Sequence, residues 1–235
     1  RYIALSYCWG PKQQDTFLTD AKTFADRKAG FRASDLPPLF TDVLTCARAL
    51  GIDYIWIDRL CIIQGDASDW SAQAPKMGQY YGNATLSLVA ASAESEMDSI
   101  LVERDPKWRS YGLNIKPQWA PDHSLGLRFR RRPYLLGWEA EGGKYGKVSK
   151  RAWIWQERLL AARTVFFTPS ALKFECRNHS VWEGYGASVT SPSWTARVEK
   201  MTHLDWFTLV QEFSQRDITY SLDRLPAINS VTERI

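Results

Sequence analysis

A chain of 235 residues with 45% hydrophobic and 24% charged residues makes one large domain or two small ones, which excludes a disordered segment. A net charge of +4 is too mild to argue for nucleic acid, and no run of about eighteen apolar residues could span a membrane. Eleven Trp, ten Tyr and ten Phe imply aromatic packing and a lined pocket.

Tyr2 to Trp9 reads as a short strand stopped by Gly10-Pro11. Residues 11–35 are polar and read as a loop with one helical turn, and Ser34 or Asp35 is placed to cap the next helix. Leu36, Leu39, Phe40, Val43, Leu44, Ala47 and Leu50 recur at helical spacing and Gly51 closes the run, the pattern of an amphipathic helix. Tyr54 to Gln64 is nearly continuously apolar, as in a strand buried on both faces, so strand, helix and strand predict a βαβ unit in a parallel sheet. A helix is predicted from about Trp70 to Gly82-Asn83, with Pro75 in its early turns or kinking it, and a third strand over Thr85–Ala91.

Residues 103–150 read as loops with a hairpin, and the cluster Arg128 to Arg132 as a solvated or acid-paired face. Arg151–Leu160 is a short helix, and Thr164–Phe167 and Leu172–Cys176 form a hairpin across Thr168-Pro169-Ser170. A polar loop around Ser188–Thr195, a helix over His203–Phe213 and a final helix after Asp223 complete the chain. Cys8, Cys46, Cys61 and Cys176 have apolar flanks and no C-x-x-C pairing, so they read as reduced, mostly buried thiols and not as zinc ligands. No signal peptide is read in these residues, and the opening at Arg1 without Met reads as a fragment or a trimmed numbering, which leaves targeting signals ahead of it open.

Three blocks resemble the heterokaryon incompatibility (HET) domain of filamentous fungi: Ala4–Gly10 (ALSYCWG), Tyr54–Gln64 (YIWIDRLCIIQ) continuing to Asp69-Trp70, Met77, Tyr81, Asn83 and Ala84, and Arg151–Leu160 (RAWIWQERLL) with Arg163. Leu209 to Arg216 and Asp223–Ala227 resemble the C-terminal continuation of such proteins. The resemblance implies one domain over 1–235. Its α/β core, a small, mostly parallel sheet flanked by helices, spans 1–102, a variable loop region 103–150, and a hairpin with a helical extension 151–235. It also implies a cytoplasmic cell-death effector of self/non-self recognition.

A more distant resemblance joins Cys61–Trp70 to the stretch before the catalytic helix of TIR domains that hydrolyse NAD, where a Trp is followed three or four residues on by a catalytic Glu. HET domains usually carry Glu three residues after the Trp; here that position is Gln73. The resemblance implies that NAD is the substrate, that no metal or prosthetic group is needed, and that a homo-oligomer forms on activation. Cleaving the nicotinamide–ribose bond develops positive charge on the ribose, which a carboxylate stabilises, while nicotinamide leaves neutral and needs no general acid. Gln73 has the shape for this task without the charge, so it is either an inactivating replacement or the sign of a lineage that lost catalysis.

Other candidates carry two readings each. Trp9 and Gly10 pack in the core, or stack on a base and admit a ligand to the backbone. Asp58 pairs with Arg151 or caps a helix, or it binds ribose or nicotinamide. Glu157 joins Arg151 and Arg158 in a buried ion network, or it is a second acidic residue at the active site. Ser6 and Tyr7 lie further inside the sheet and read first as structural, with Ser6 kept as a substrate-binding candidate, and Trp70 either orients the turn after it or contacts the substrate. Cys61 has no neighbouring His and is not read as a nucleophile. Trp9-Gly10, Asp58 and Gln73 are expected around one cleft, on the order of 10 Å across. The rival to the enzyme is a non-enzymatic oligomerising module that triggers cell death through partners, and nucleic-acid binding through the arginine cluster is the weakest reading.

Overall fold

The computed structural model describes residues 1–11, 17–130, 148, 150–183 and 203–233. In chain order the regular elements are β1 (Tyr2–Ser6), α1 (Phe24–Ala29), α2 (Pro38–Ala49), β2 (Tyr54–Trp56), α3 (Asp58–Cys61), α4 (Ala67–Gln73), α5 (Met77–Asn83) and β3 (Leu86–Val89). They continue as β4 (Ser110–Ile115), β5 (Leu125–Arg130), α6 (Ala152–Leu160), β6 (Arg163–Phe167), β7 (Leu172–Cys176), β8 (Ser180–Trp182), α7 (His203–Ser214) and α8 (Arg224–Thr232). The fold is α/β. Six strands form one sheet in the order β2-β1-β3-β6-β7-β8, parallel from β2 to β6 and antiparallel from β6 to β8.

Alternation along β1 sorts the two faces. Ile3, Leu5 and Tyr7 pack with Leu39, Phe40, Val43 and Ala47 of α2, whereas Ala4 packs with Met77 and Tyr81 of α5. Cys8 joins Val89, Ile154 and Phe166 on the α6 side, so α2 covers one face and α5 with α6 the other. On the far side of α6, Trp155, Leu159 and Leu160 pack against Leu209 and Phe213 of α7 and Ala227 and Val231 of α8. Both faces of the inner strands β1 and β3 are therefore covered, whereas the edge strand β2 leaves Tyr54 exposed.

One register row on the α6 face departs from apolar packing. Ala4, Ser87, Thr164, Glu175 and Ser180 are aligned across β1, β3, β6, β7 and β8, and all are buried. Arg158 of α6 reaches this row and grips Glu175 with two hydrogen bonds, Nε at 3.1 Å and Nη2 at 2.8 Å. Lys173 also donates to Glu175. Burial pushes Glu175 up, but Arg158 and Lys173 outweigh it and hold its carboxyl below the usual range.

Several predicted boundaries move. β1 ends at Ser6, because Trp9 and Gly10 leave the sheet for the loop beyond it. Neither Ser34 nor Asp35 caps α2. Both lie in a separate 3-10 turn, α2 starts at Pro38, and the Glu96 carbonyl accepts the Leu39 N–H at 3.1 Å. The predicted doubly buried strand over Tyr54–Gln64 shrinks to three residues at the sheet edge. After it the chain coils, with the Ile57 carbonyl accepting N–H groups from Leu60 and Cys61. Pro75 does not sit in an early turn of one helix. It lies in a 3-10 turn, Ala74–Lys76, between α4 and α5, because it offers no N–H and crowds the preceding turn.

Residues 110–130 form a two-stranded antiparallel sheet apart from the main one. β8 escaped sequence reading because three residues paired only with β7 carry too little pattern. No disulfide joins the cysteines, but only Cys8 is buried; Cys46 and Cys176 are partly covered and Cys61 is exposed. Arg131, Arg132 and the Ser188–Thr195 loop lie outside the described residues.

Candidate active site

The carboxyl edge of the parallel strands is where open α/β sheets bind ligands. Three elements meet there: the end of β1, the turn after β2, and α6. Asp58 begins α3, and its Oδ1 accepts the N–H of Arg59 at 2.7 Å while its Oδ2 accepts the Trp9 indole N–H at 2.8 Å. Arg151, just before α6, donates from Nη1 to the Tyr7 carbonyl at 2.8 Å. Burial raises the Asp58 carboxyl above its ordinary range, against the opposing pull of Arg151, the Trp9 hydrogen bond and Arg59.

Glu157 lies on α6 and is buried. Desolvation pushes its carboxyl up to about 7; Asp58 adds to the rise, while Ser6, Arg151 and Tyr81 work against it. Neither Glu157 Oε2 nor Ser6 Oγ completes a hydrogen bond of good geometry, although both are buried. The Tyr81 hydroxyl donates to the Leu5 carbonyl at 2.9 Å and adjoins the same carboxyl. Two carboxyls with raised proton affinity, Asp58 and Glu157, thus share one edge of the sheet with one arginine between them in charge. Such groups are kept at sites that need them, because burial of an ionisable group costs stability.

The ion network expected for α6 is divided. Arg158 pairs with Glu175 and not with Glu157, and among the described residues Glu157 has no ion pair. Asp58 does not cap a helix: Ile57 holds the cap position of α3, Asp58 is its first residue, and Arg151 acts on Asp58 through charge. Trp9 has one neighbour that sequence did not suggest: the Arg59 guanidinium lies 4.6 Å from its ring centroid and donates to its carbonyl at 3.2 Å. Arg59 also forms a buried ion pair with Glu96. Glu96 is 37 residues away in a polar stretch, and no spacing or periodicity points to it. Gly10 has φ +77°, and a Cβ there would stand 2.6 Å from the Ser95 Cβ, so this glycine serves the approach of the 94–95 loop.

Gln73 is engaged by partners of its own, Asp69 and Tyr80. Its Nε2 donates to Asp69 Oδ1 at 2.9 Å, and its Oε1 accepts from the Tyr80 hydroxyl at 2.5 Å. Among the described residues, no hydrogen bond or ring contact joins it to Trp9, Asp58 or Glu157. Trp70 packs edge-on against Trp153 of α6, ring centroids 5.5 Å apart, as a packing residue should. Among the described residues, no group of three or more His, Cys, Asp or Glu is placed to hold a metal ion.

The family described as Heterokaryon incompatibility protein (HET) matches residues 2–157. The chain belongs to the HET family. No curated protein and no solved structure matches it. The HET match runs from β1 to Glu157, so it takes in every residue of the sheet edge just described. Membership points to a role in heterokaryon incompatibility.

Within this HET domain the Gln73 amide fits its surroundings as an amide, donating to one neighbour and accepting from the other. A glutamate of the same size would set a second carboxylate against Asp69, which the Ile63 N–H and the Gln73 amide hold below the usual carboxylate range. The exchange is therefore not neutral, as size alone implies. Gln73→Glu should lower stability by about 1 kcal/mol at pH 7, and the loss should shrink below pH 4 as the pair takes up protons. Thermal melts at the two pH values check this; equal melting at both would remove the argument.

Proposed function

We propose that this HET domain hydrolyses NAD to nicotinamide and an ADP-ribose product and acts as a cytoplasmic cell-death effector. What carries the reading is Glu157: a buried carboxyl with its pKa near 7 and one oxygen uncommitted, at the ligand-binding edge of a parallel sheet. The ionised carboxylate would face the anomeric carbon and stabilise the positive charge that develops as the bond to nicotinamide breaks. The pyridinium of the substrate is itself cationic, so its arrival favours that ionised form. Water then takes the place of nicotinamide. Asp58, held by Trp9 and by its own backbone, would accept from the ribose hydroxyls.

This reading moves the catalytic carboxylate from position 73 to Glu157. Gln73 keeps Asp69 and Tyr80 in place, and its missing charge then does not abolish catalysis. Self-association on activation belongs to the same reading. The test is release of nicotinamide from NAD by the 235-residue chain, followed chromatographically from pH 5 to 9. The rate should climb about tenfold per pH unit and level off above about 7, as Glu157 loses its proton. Release no faster than from a boiled control at pH 8 would end the enzyme reading and leave the oligomerising module.

A further inference from the structure

The β4–β5 hairpin is a separate two-stranded sheet with one face strongly apolar. The register sets Tyr111 opposite Phe129, Leu113 opposite Leu127 and Ile115 opposite Leu125. Alternation puts all six on one side, and Gly112, Asn114, Gly126 and Arg128 on the other. Tyr111, Leu113, Ile115, Leu125 and Phe129 are 38–61% exposed, and Trp119 in the connection is 86% exposed. A two-stranded ribbon with one bare apolar face lacks the covering layer that such a face needs for its own stability.

Charge indicates what covers it. Residues 103–130 hold six Lys and Arg against three Asp and Glu, so this short stretch carries most of the chain's +4 excess. Arg104, Lys107 and Arg109 are spent in ion pairs with Glu183, Asp105 and Glu103. Lys116 and Arg128, on the hairpin itself, make no ion pair among the described residues. Arg128 lies on the side opposite the apolar face, as in an amphipathic element that lies at a membrane interface with its cations in the headgroup layer. Tyr, Trp and Phe mixed with Leu and Ile, beside unpaired cations, is the composition that seats at the boundary of headgroups and acyl chains.

We propose that the β4–β5 hairpin docks this domain onto an anionic phospholipid surface, with its apolar face at the acyl boundary and Lys116 and Arg128 meeting the headgroups. The surface is lain upon and not spanned, since no helix among the described residues is long and apolar enough to cross a membrane.

Cosedimentation of the 235-residue chain with phosphatidylcholine vesicles, with and without phosphatidylserine, tests this. Binding should require phosphatidylserine and weaken with added salt. Lys116→Gln with Arg128→Gln should cost about fivefold in affinity per charge removed. Leu113→Ser with Phe129→Ser should cost at least about tenfold. Melting temperature and nicotinamide release should stay at the parent's values in both, since these side chains are exposed and outside the sheet edge. If the serine pair unfolds the hairpin, the glutamine pair, which keeps the apolar face, decides. Equal binding to both vesicle types, or to neither, would overturn the proposal. So would a dimer formed without vesicles that the serine pair abolishes, which would give the face to a second copy.

Discussion

At pH 8, Glu157→Gln should melt higher than the parent while nicotinamide release falls by about 10²–10³. The two effects share one cause. In the folded chain the Glu157 carboxyl sits near 7, against an ordinary value of 4.5, so the folded state holds its proton more tightly than the unfolded one. Below pH 4.5 both states are protonated and the group leaves the balance alone. As pH rises from there the unfolded chain releases its proton first, and stability falls until about pH 7, where the effect levels off. The full loss is roughly 3 kcal/mol. A glutamine cannot ionise, so the variant should lack this decline. Urea titrations at pH 5 and 8 measure it: the variant and parent should differ little at pH 5 and most at pH 8. A variant less stable than the parent at pH 8 would show that Glu157 is held for structure and not for chemistry.

Glu175→Ala should be the most damaging single change on the α6 face, at about 3–5 kcal/mol. Glu175 is buried between the Arg158 guanidinium and the Lys173 ammonium, and removing it strips both cations of the carboxylate they share. Arg158 is also how α6 is fastened to β7, one residue after Glu157. The pH dependence has the opposite sign to that of Glu157. The folded Glu175 carboxyl lies below its ordinary range, so its stabilising effect is present above the unfolded value and is lost as pH falls through the folded one. Equilibrium urea unfolding checks the magnitude. A loss under 1 kcal/mol would mean that water or a shifted side chain replaces the carboxylate.

Much of the frame was legible in the chain because it rests on local pattern. The three-four spacing from Leu39 to Ala47 is α2, and β6 with β7 is the hairpin read from Thr164–Phe167 and Leu172–Cys176. The motif blocks that resemble HET domains placed the chain in the family that the residue 2–157 match establishes. The apolar run through Asp58 misled, because hydrophobicity does not reveal where a backbone turns. The Asp58 carboxyl accepting the next N–H, and its place beside Trp9, end the strand after three residues.

The candidate site divides along the same line. Composition and motif singled out Ser6, Trp9, Asp58, Trp70, Gln73 and Glu157 one at a time, since each is a residue type in a pattern. Which of them share an environment was decided only by the fold. Trp9 and Asp58 meet across 49 residues, and Arg151 reaches the Tyr7 carbonyl across 144. Gln73 is claimed by Asp69 and Tyr80, both within seven residues of it. The proton affinity of Glu157 comes first from burial and then from Ser6, Asp58, Arg151 and Tyr81, all distant in sequence except Arg151, and Arg59 finds Glu96 across 37 residues. Desolvation and long-range charge depend on what surrounds a group in space, and no spacing along the chain encodes that.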